Sequence, residues 1–141
     1  MKRIIHDNKQ RVGHWVAQAV GRDSDWGSFE SIGLEEDGIL IAGMVVESYV
    51  KNARCCVHLA GTGKRWLNRE YLKFCCKYMF DQLNCKVVVG LVDADNEAAL
   101  SFDKHFGFKE LTRIPDGAGD CDLVVLTLTR EDCRWLKLKV R

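Results

Sequence analysis

The chain has 141 residues, 47% hydrophobic and 29% charged, the proportions of one soluble domain built on a single core. Lys+Arg 21 against Asp+Glu 20 leaves a formal net charge of +1, which removes the electrostatic case for a nucleic-acid partner. No apolar run approaches the ~20 residues of a membrane span, and Met1-Lys-Arg-Ile-Ile-His-Asp turns polar too early for a secretion signal.

In chain order, residues 3–6 predict a short first strand. Residues 8–20 place Val12, Trp15, Val16, Ala19 and Val20 at helical spacing, with Asp7 or Asn8 as cap and Gly21 as stop. A loop or irregular helix follows over 22–27. Residues 29–35 and 39–50 predict two strands joined by Glu36-Asp37-Gly38, a hairpin signal because Asp and Gly tolerate positive φ. A further strand covers 54–60 and is interrupted by Gly61-Thr-Gly63.

The next helix is predicted over about 67–83. Its stripe of Leu67, Tyr71, Phe74, Cys75 and Tyr78 is widened by Leu72, Cys76, Met79, Phe80 and Leu83, a face broad enough to lie under a sheet. Asn84 suits a left-handed cap. Residues 87–92 are apolar without alternation, which predicts a central strand covered on both sides. A helix from Asn96, strands over 108–114 and 122–128, and a last short helix over 130–136 capped by Thr129 complete the chain. The order predicts a mixed α+β fold in one domain over 1–141, without a linker or repeat.

Seven cysteines form an odd set with no Cys-x-x-Cys spacing. The adjacent pairs Cys55-Cys56 and Cys75-Cys76 suit burial better than shared metal ligation, since neighbouring side chains diverge. A reduced, cytoplasmic protein is expected. His6, His14 and His105 lack metal-ligand spacing with one another, so no metal site is expected.

The segment Asn96-x-x-Ala99, Phe102, Gly107-Phe108, set between two strand-like runs, resembles the second half of the GNAT-type N-acetyltransferase fold. The resemblance covers about the last 110 residues. The ending Leu126-Thr-Leu-Thr-Arg-Glu-Asp-Cys-Arg-Trp-Leu136 is similar to the ribosomal-protein and small-molecule acetyltransferase branch, including short phage- and prophage-encoded members. It implies an acyl-CoA N-acyltransferase-like fold: a central, mostly antiparallel sheet with a splayed parallel strand pair and helices on both faces. Acetyl-CoA would then be the co-substrate, an amine of a small molecule or protein the acceptor, and the chain a monomer or homodimer with no membrane partner.

The same resemblance implies where the cofactor lies. Amides ahead of a helix attract a pyrophosphate, and the matching segment is Gly61, Gly63, Lys64, Arg65, Trp66, Leu67, Asn68 and Arg69. The family's glycine pattern is absent there, because Arg65 is followed by Trp66, Leu67 and Asn68. The strands ending near Ala60 and Val92 would part to admit the pantetheine arm. Leu59 and Ala60 offer amides for an oxyanion, and Asn96 and Phe102 stand at the cleft edge. Taken alone, Gly-Thr-Gly also reads as a plain turn and Asn96 as a helix cap.

Acetyl transfer needs a neutral amine, a stabilised oxyanion and a proton for the leaving thiolate. His58 is the first candidate base because imidazole titrates near neutral pH, although it also reads as a satisfied core histidine. Glu47 is its rival, with the alternative of a solvated strand-end carboxylate. Asp103 stands seven residues after the Asn, where many members of the family carry a Tyr. An exposed Asp there would be ionised and a poor donor unless burial raises its pKa, and a helix-surface ion-pair partner is the plainer reading. Two other functions remain open from sequence: an inactive binding module of the same fold, and a structural homodimer using exposed strand edges. Acceptor contacts are expected near Trp26, near 49–52 and in the loop 115–120.

Overall fold

The computed structural model describes residues 1–21, 25–63 and 68–137. Seven strands form one sheet in the order β1-β2-β3-β4-β5-β7-β6: β1 (Lys2–Ile5), β2 (Phe29–Glu36), β3 (Ile39–Val50), β4 (Arg54–Gly61), β5 (Val87–Asp93), β6 (Lys109–Ile114) and β7 (Leu123–Thr129). Every neighbouring pair is antiparallel except β4 and β5. The β2–β3 hairpin turns on Asp37 and Gly38 at φ 52 and 85, as the Asp-Gly pair predicts.

Helix α1 (Lys9–Val20) starts where the Asn8 side chain accepts from the Arg11 amide and stops at Gly21 in the left-handed region. Its buried Val12 and Val16 lie against Gly33 and Gly43, where a β-carbon would approach them to 2.8 and 2.5 Å. Two glycines thus let this helix settle close onto β2 and β3. The resulting small core contains Ile5, Val12, Val16, Ala17, Trp26, Leu40 and Val45.

The larger core joins the other sheet face to α2 (Arg69–Lys77) and α3 (Glu97–Phe106), with Ile32, Met44, Val57, Tyr71, Phe80, Val88, Phe106 and Leu126 among its members. Tyr71 is fully buried and donates its hydroxyl to the Ile32 carbonyl at 2.7 Å. Tyr71→Phe should therefore destabilise the fold by about 1–2 kcal/mol in urea titration, since it orphans a buried carbonyl. An unchanged midpoint would remove this tie from the fold's account.

Three expectations need correction. The helix over 67–83 is α2 followed by a π-helical turn, Tyr78–Gln82, in which the Leu83 amide reaches the Tyr78 carbonyl five residues back. The strand at 87–92 is covered on one side only. Its buried residues alternate, and Leu91 is 40% exposed because α1 spans β2, β3 and β4 but stops short of β5. The tail over 130–136 is a turn plus a 3-10 helix, Arg134–Lys137, although the Thr129 hydroxyl does accept from the Asp132 amide as a cap would, and donates to the Asp132 carboxylate.

Candidate active site

The parallel pair β4–β5 holds together over four residues, from Arg54↔Val87 to Val57↔Gly90, and then opens. Each strand keeps its outer partner beyond that point. His58 to Gly61 stay paired with β3, and Leu91 to Asp93 stay paired with β7. The two inner edges diverge like a V, as the sequence resemblance implied. Between them lies a narrow cleft of about 100 Å³ lined by Val57, His58, Leu59, Leu91, Val92, Asp93, Asn96, Ala99 and Asp103, with Val20 reaching in from α1.

His58, just past the apex on β4, is bonded through Nε2 to Glu47 Oε2 at 2.7 Å. These two candidate bases were rivals in the sequence and are partners in the fold. Glu47 lies across from Cys56 in the β3–β4 register, so His58 is its diagonal neighbour on one face. A register shift between Glu47 and Val50, with Ser48 at φ 53, bends the end of β3. Such irregularities re-aim side chains beside functional sites. The Ser48 hydroxyl donates to Glu47 Oε1 at 2.6 Å, which holds the carboxylate from its other side. Trp26 covers the imidazole, with ring centroids 4.7 Å apart. Side-chain exposures of 11% for His58 and 18% for Glu47 keep the pair largely out of bulk water. With Glu47 ionised, Nε2 carries the hydrogen of this bond.

Beyond Glu47 opens a second, larger cavity of about 570 Å³, walled chiefly by Trp26, Phe29, Glu30, Val46, Glu47, Tyr49, Tyr78 and Leu83. Tyr49 donates to the Leu83 carbonyl at 2.8 Å across one side of it. The π-turn presents Tyr78 and Leu83 to this space, in keeping with the frequent placement of such turns at functional sites. Trp26 and Tyr49 were expected near the acceptor. Glu30, Phe29 and Tyr78 were missed, because they come from a strand start and a helix end that only folding brings together.

The remaining candidates fall into place less evenly. Leu59 lines the cleft, while Ala60 and Gly61 continue β4 beside Gly43 and Ala42. Gly63 sits in a turn at φ 61. Lys64, Arg65, Trp66 and Leu67 lie outside the described residues. Asn68 caps α2 by accepting from the Tyr71 amide at 2.9 Å, and Arg69 is the helix's first residue. Asn96 caps α3, accepting from the Ala99 amide at 3.2 Å, as its helix-cap reading expects, and it also lines the cleft. Phe102 packs against Phe106 at 5.9 Å between ring centres. Asp103 is no surface ion-pair partner: it is buried at 9% exposure, because the α3 face that carries Leu100 and Phe106 turns it toward β5. Burial pushes its carboxyl up to about 7.

Among the described residues no group of His, Cys, Asp and Glu is placed to hold a metal ion, and no helix is long and apolar enough to cross a membrane. All seven cysteines are free.

No family model and no curated protein sequence matches the chain. Solved structures do. The ribosomal-protein-S18-alanine N-acetyltransferase of Escherichia coli superposes with a TM-score of 0.65 at 18% identity, over 92% of this chain and 94% of that one. Mutant forms of a spermidine/spermine N-acetyltransferase from Vibrio cholerae give 0.69 at 12% identity, over 97% of each chain. A Salmonella typhimurium protein described as a putative acetyltransferase, solved with acetyl-CoA, gives 0.63 at 13% identity over 91% and 93%.

Proposed function

The chain has the GNAT acyltransferase fold, and we propose that it is an acetyl-CoA-dependent N-acetyltransferase acting on a primary amine by direct attack in a ternary complex. The observation that carries this reading is the V between β4 and β5 with a bonded His–Glu pair just past its apex. The V separates an entry for an extended thioester arm from a cavity suited to an amine. Where β4 and β5 no longer pair with each other, their facing backbones can hydrogen-bond the amide groups of a pantetheine arm as a further strand would. Neighbours of the same fold, solved with acetyl-CoA, support that assignment.

In this reading Leu59, Ala60, Gly61, Gly63, Asn68, Arg69, Asn96 and Phe102, with 64–67, make up the cofactor side. The main-chain amide of Leu59 or Ala60 meets the oxyanion. His58 accepts the amine's proton, and Glu47 holds the ring and stabilises the imidazolium. The larger cavity's two carboxylates, Glu30 and Glu47, and its four aromatic side chains suit an alkylammonium-bearing acceptor. By their names, neighbours of this fold act on spermidine or spermine and on ribosomal-protein alanine.

Acetyl-CoA at a hundredfold excess over its dissociation constant should stabilise the protein by about 2.7 kcal/mol, seen as a melting temperature raised by several degrees. Thiol release with a panel of primary amines then tests transfer. No thermal shift at millimolar acetyl-CoA would sink the reading.

A second reading, a binding module without catalysis, is favoured by one observation. The outer strand β6 is exposed along its whole length and carries Leu111 at 66% and Ile114 at 46% exposure. Acetyl-CoA binding without thiol release on any amine would support it.

A further inference from the structure

The cavity beyond Glu47 does not end where an amine would sit. Two further hollows, of about 370 and 420 Å³, continue from it around the π-turn. Glu30 and Tyr78 wall both the first cavity and the second. Phe74, Tyr78 and Gln82 wall both the second and the third. The three form one groove that starts at Glu47, passes the beginning of β2 and follows α2 into the π-turn. From Phe74 to Gln82 the helix advances about 12 Å, the reach of about three to four residues of extended chain.

Three observations say what fills it. First, Phe74 belongs to the apolar stripe of α2, yet it is 36% exposed, with the His6 ring 5.4 Å away. Second, β1 pairs with β2 only as far as Ile5↔Gly33, so Phe29 to Ile32 present a strand edge with no strand beyond it. Glu30, Ser31 and Ile32 of that edge wall the second cavity, and extended peptides join such edges. Third, the charges do not suit a polyamine, which needs a carboxylate for each ammonium. Past Glu47 the groove's only carboxylates are Glu30 and Asp81, and each already faces a cation of the chain, Lys9 at 3.8 Å and Arg130 at 2.7 Å.

Resting on the acetyltransferase reading above, we propose that the acceptor is the amino terminus of a polypeptide, its α-amine at Glu47 and His58 and its next residues extended along this groove against Tyr78 and Phe74. The α-amine nitrogen bonds to the acetyl carbonyl carbon and sheds one proton. The C–S bond breaks with its electron pair on sulfur, which takes up one proton, so thioester and amine become amide and thiol.

The test compares three acceptors in thiol release from acetyl-CoA: random hexapeptides without lysine and with free amino termini, alaninamide, and spermidine. Remote contacts raise kcat/KM, so the hexapeptides should exceed each of the other two by about tenfold or more. Phe74→Ser should lose about tenfold on the hexapeptides, mainly in KM, and stay within about twofold of wild type on alaninamide. Phe74→Tyr, which keeps the ring, should recover most of that loss. Alaninamide or spermidine used as well as the hexapeptides would overturn the proposal. A Phe74→Ser loss shared equally by all three acceptors would make Phe74 a packing residue, and no loss with any would empty the groove of its role; either result also overturns it. A wild-type protein that binds acetyl-CoA and releases thiol with none of the three overturns the acetyltransferase reading itself.

Discussion

His58→Gln should lower kcat for amine acetylation by about 10²–10⁴, the range that a positioned general base supplies. Glutamine can still donate to Glu47, so the packing against Trp26 and the bond to the carboxylate survive while proton uptake does not. The melting temperature should accordingly move little. Glu47→Gln should cost less than His58→Gln, because the imidazole remains as a base but loses the charge that fixes its tautomer and stabilises its protonated form. The double variant should be no slower than His58→Gln alone, since both act through one proton transfer. Steady-state thiol release on purified proteins of matched thermal stability measures all three. A His58→Gln protein within threefold of wild type would remove the pair from the chemistry.

Asp103→Asn should make the protein more stable, and the gain should depend on pH. The folded-state carboxyl titrates at about 7 against 3.8 as an ordinary aspartate. Below pH 3.8 it is neutral in both states, and the acid and the amide cost the fold alike. Between 3.8 and about 7 the unfolded chain ionises and the folded one does not, so wild-type stability drains away as pH rises. At ~1.4 kcal/mol for each pH unit of that interval, the deficit approaches about 4 kcal/mol above pH 7. Asparagine carries no such penalty. Urea unfolding at pH 4, 6 and 8 should show the variant's advantage growing from near zero toward that figure. An advantage that is flat across the three pH values would mean that the carboxyl is ionised in the fold.

Much of the frame was legible in one dimension because its causes are local. Asn8 and Asn96 each precede a helix and accept from an amide three residues on, whereas Asn68 does so at a position the sequence placed within its helix. Asp37-Gly38 takes the two positive φ values that a tight hairpin needs. Periodicity failed where cover was missing. The run Val87-Val-Val-Gly-Leu-Val92 contains nothing polar to mark its open side, so a half-exposed strand read as fully enclosed. It failed again at Tyr78–Gln82, where a π-turn adds a residue to the helical repeat without changing the composition.

The site divides along the same line. Residue type singled out His58 and Glu47, while the resemblance carried by Asn96 to Phe108 nominated Asn96 and Asp103 and implied the parting of two strands. Where each nominee stands was decided by contacts between distant segments. The β3–β4 register brings Glu47 to His58, and α3 buries Asp103 near Gly90. Hydrogen-bond partners and burial decide whether a carboxyl is charged, and both are properties of the folded neighbourhood rather than of the residue's place in the string.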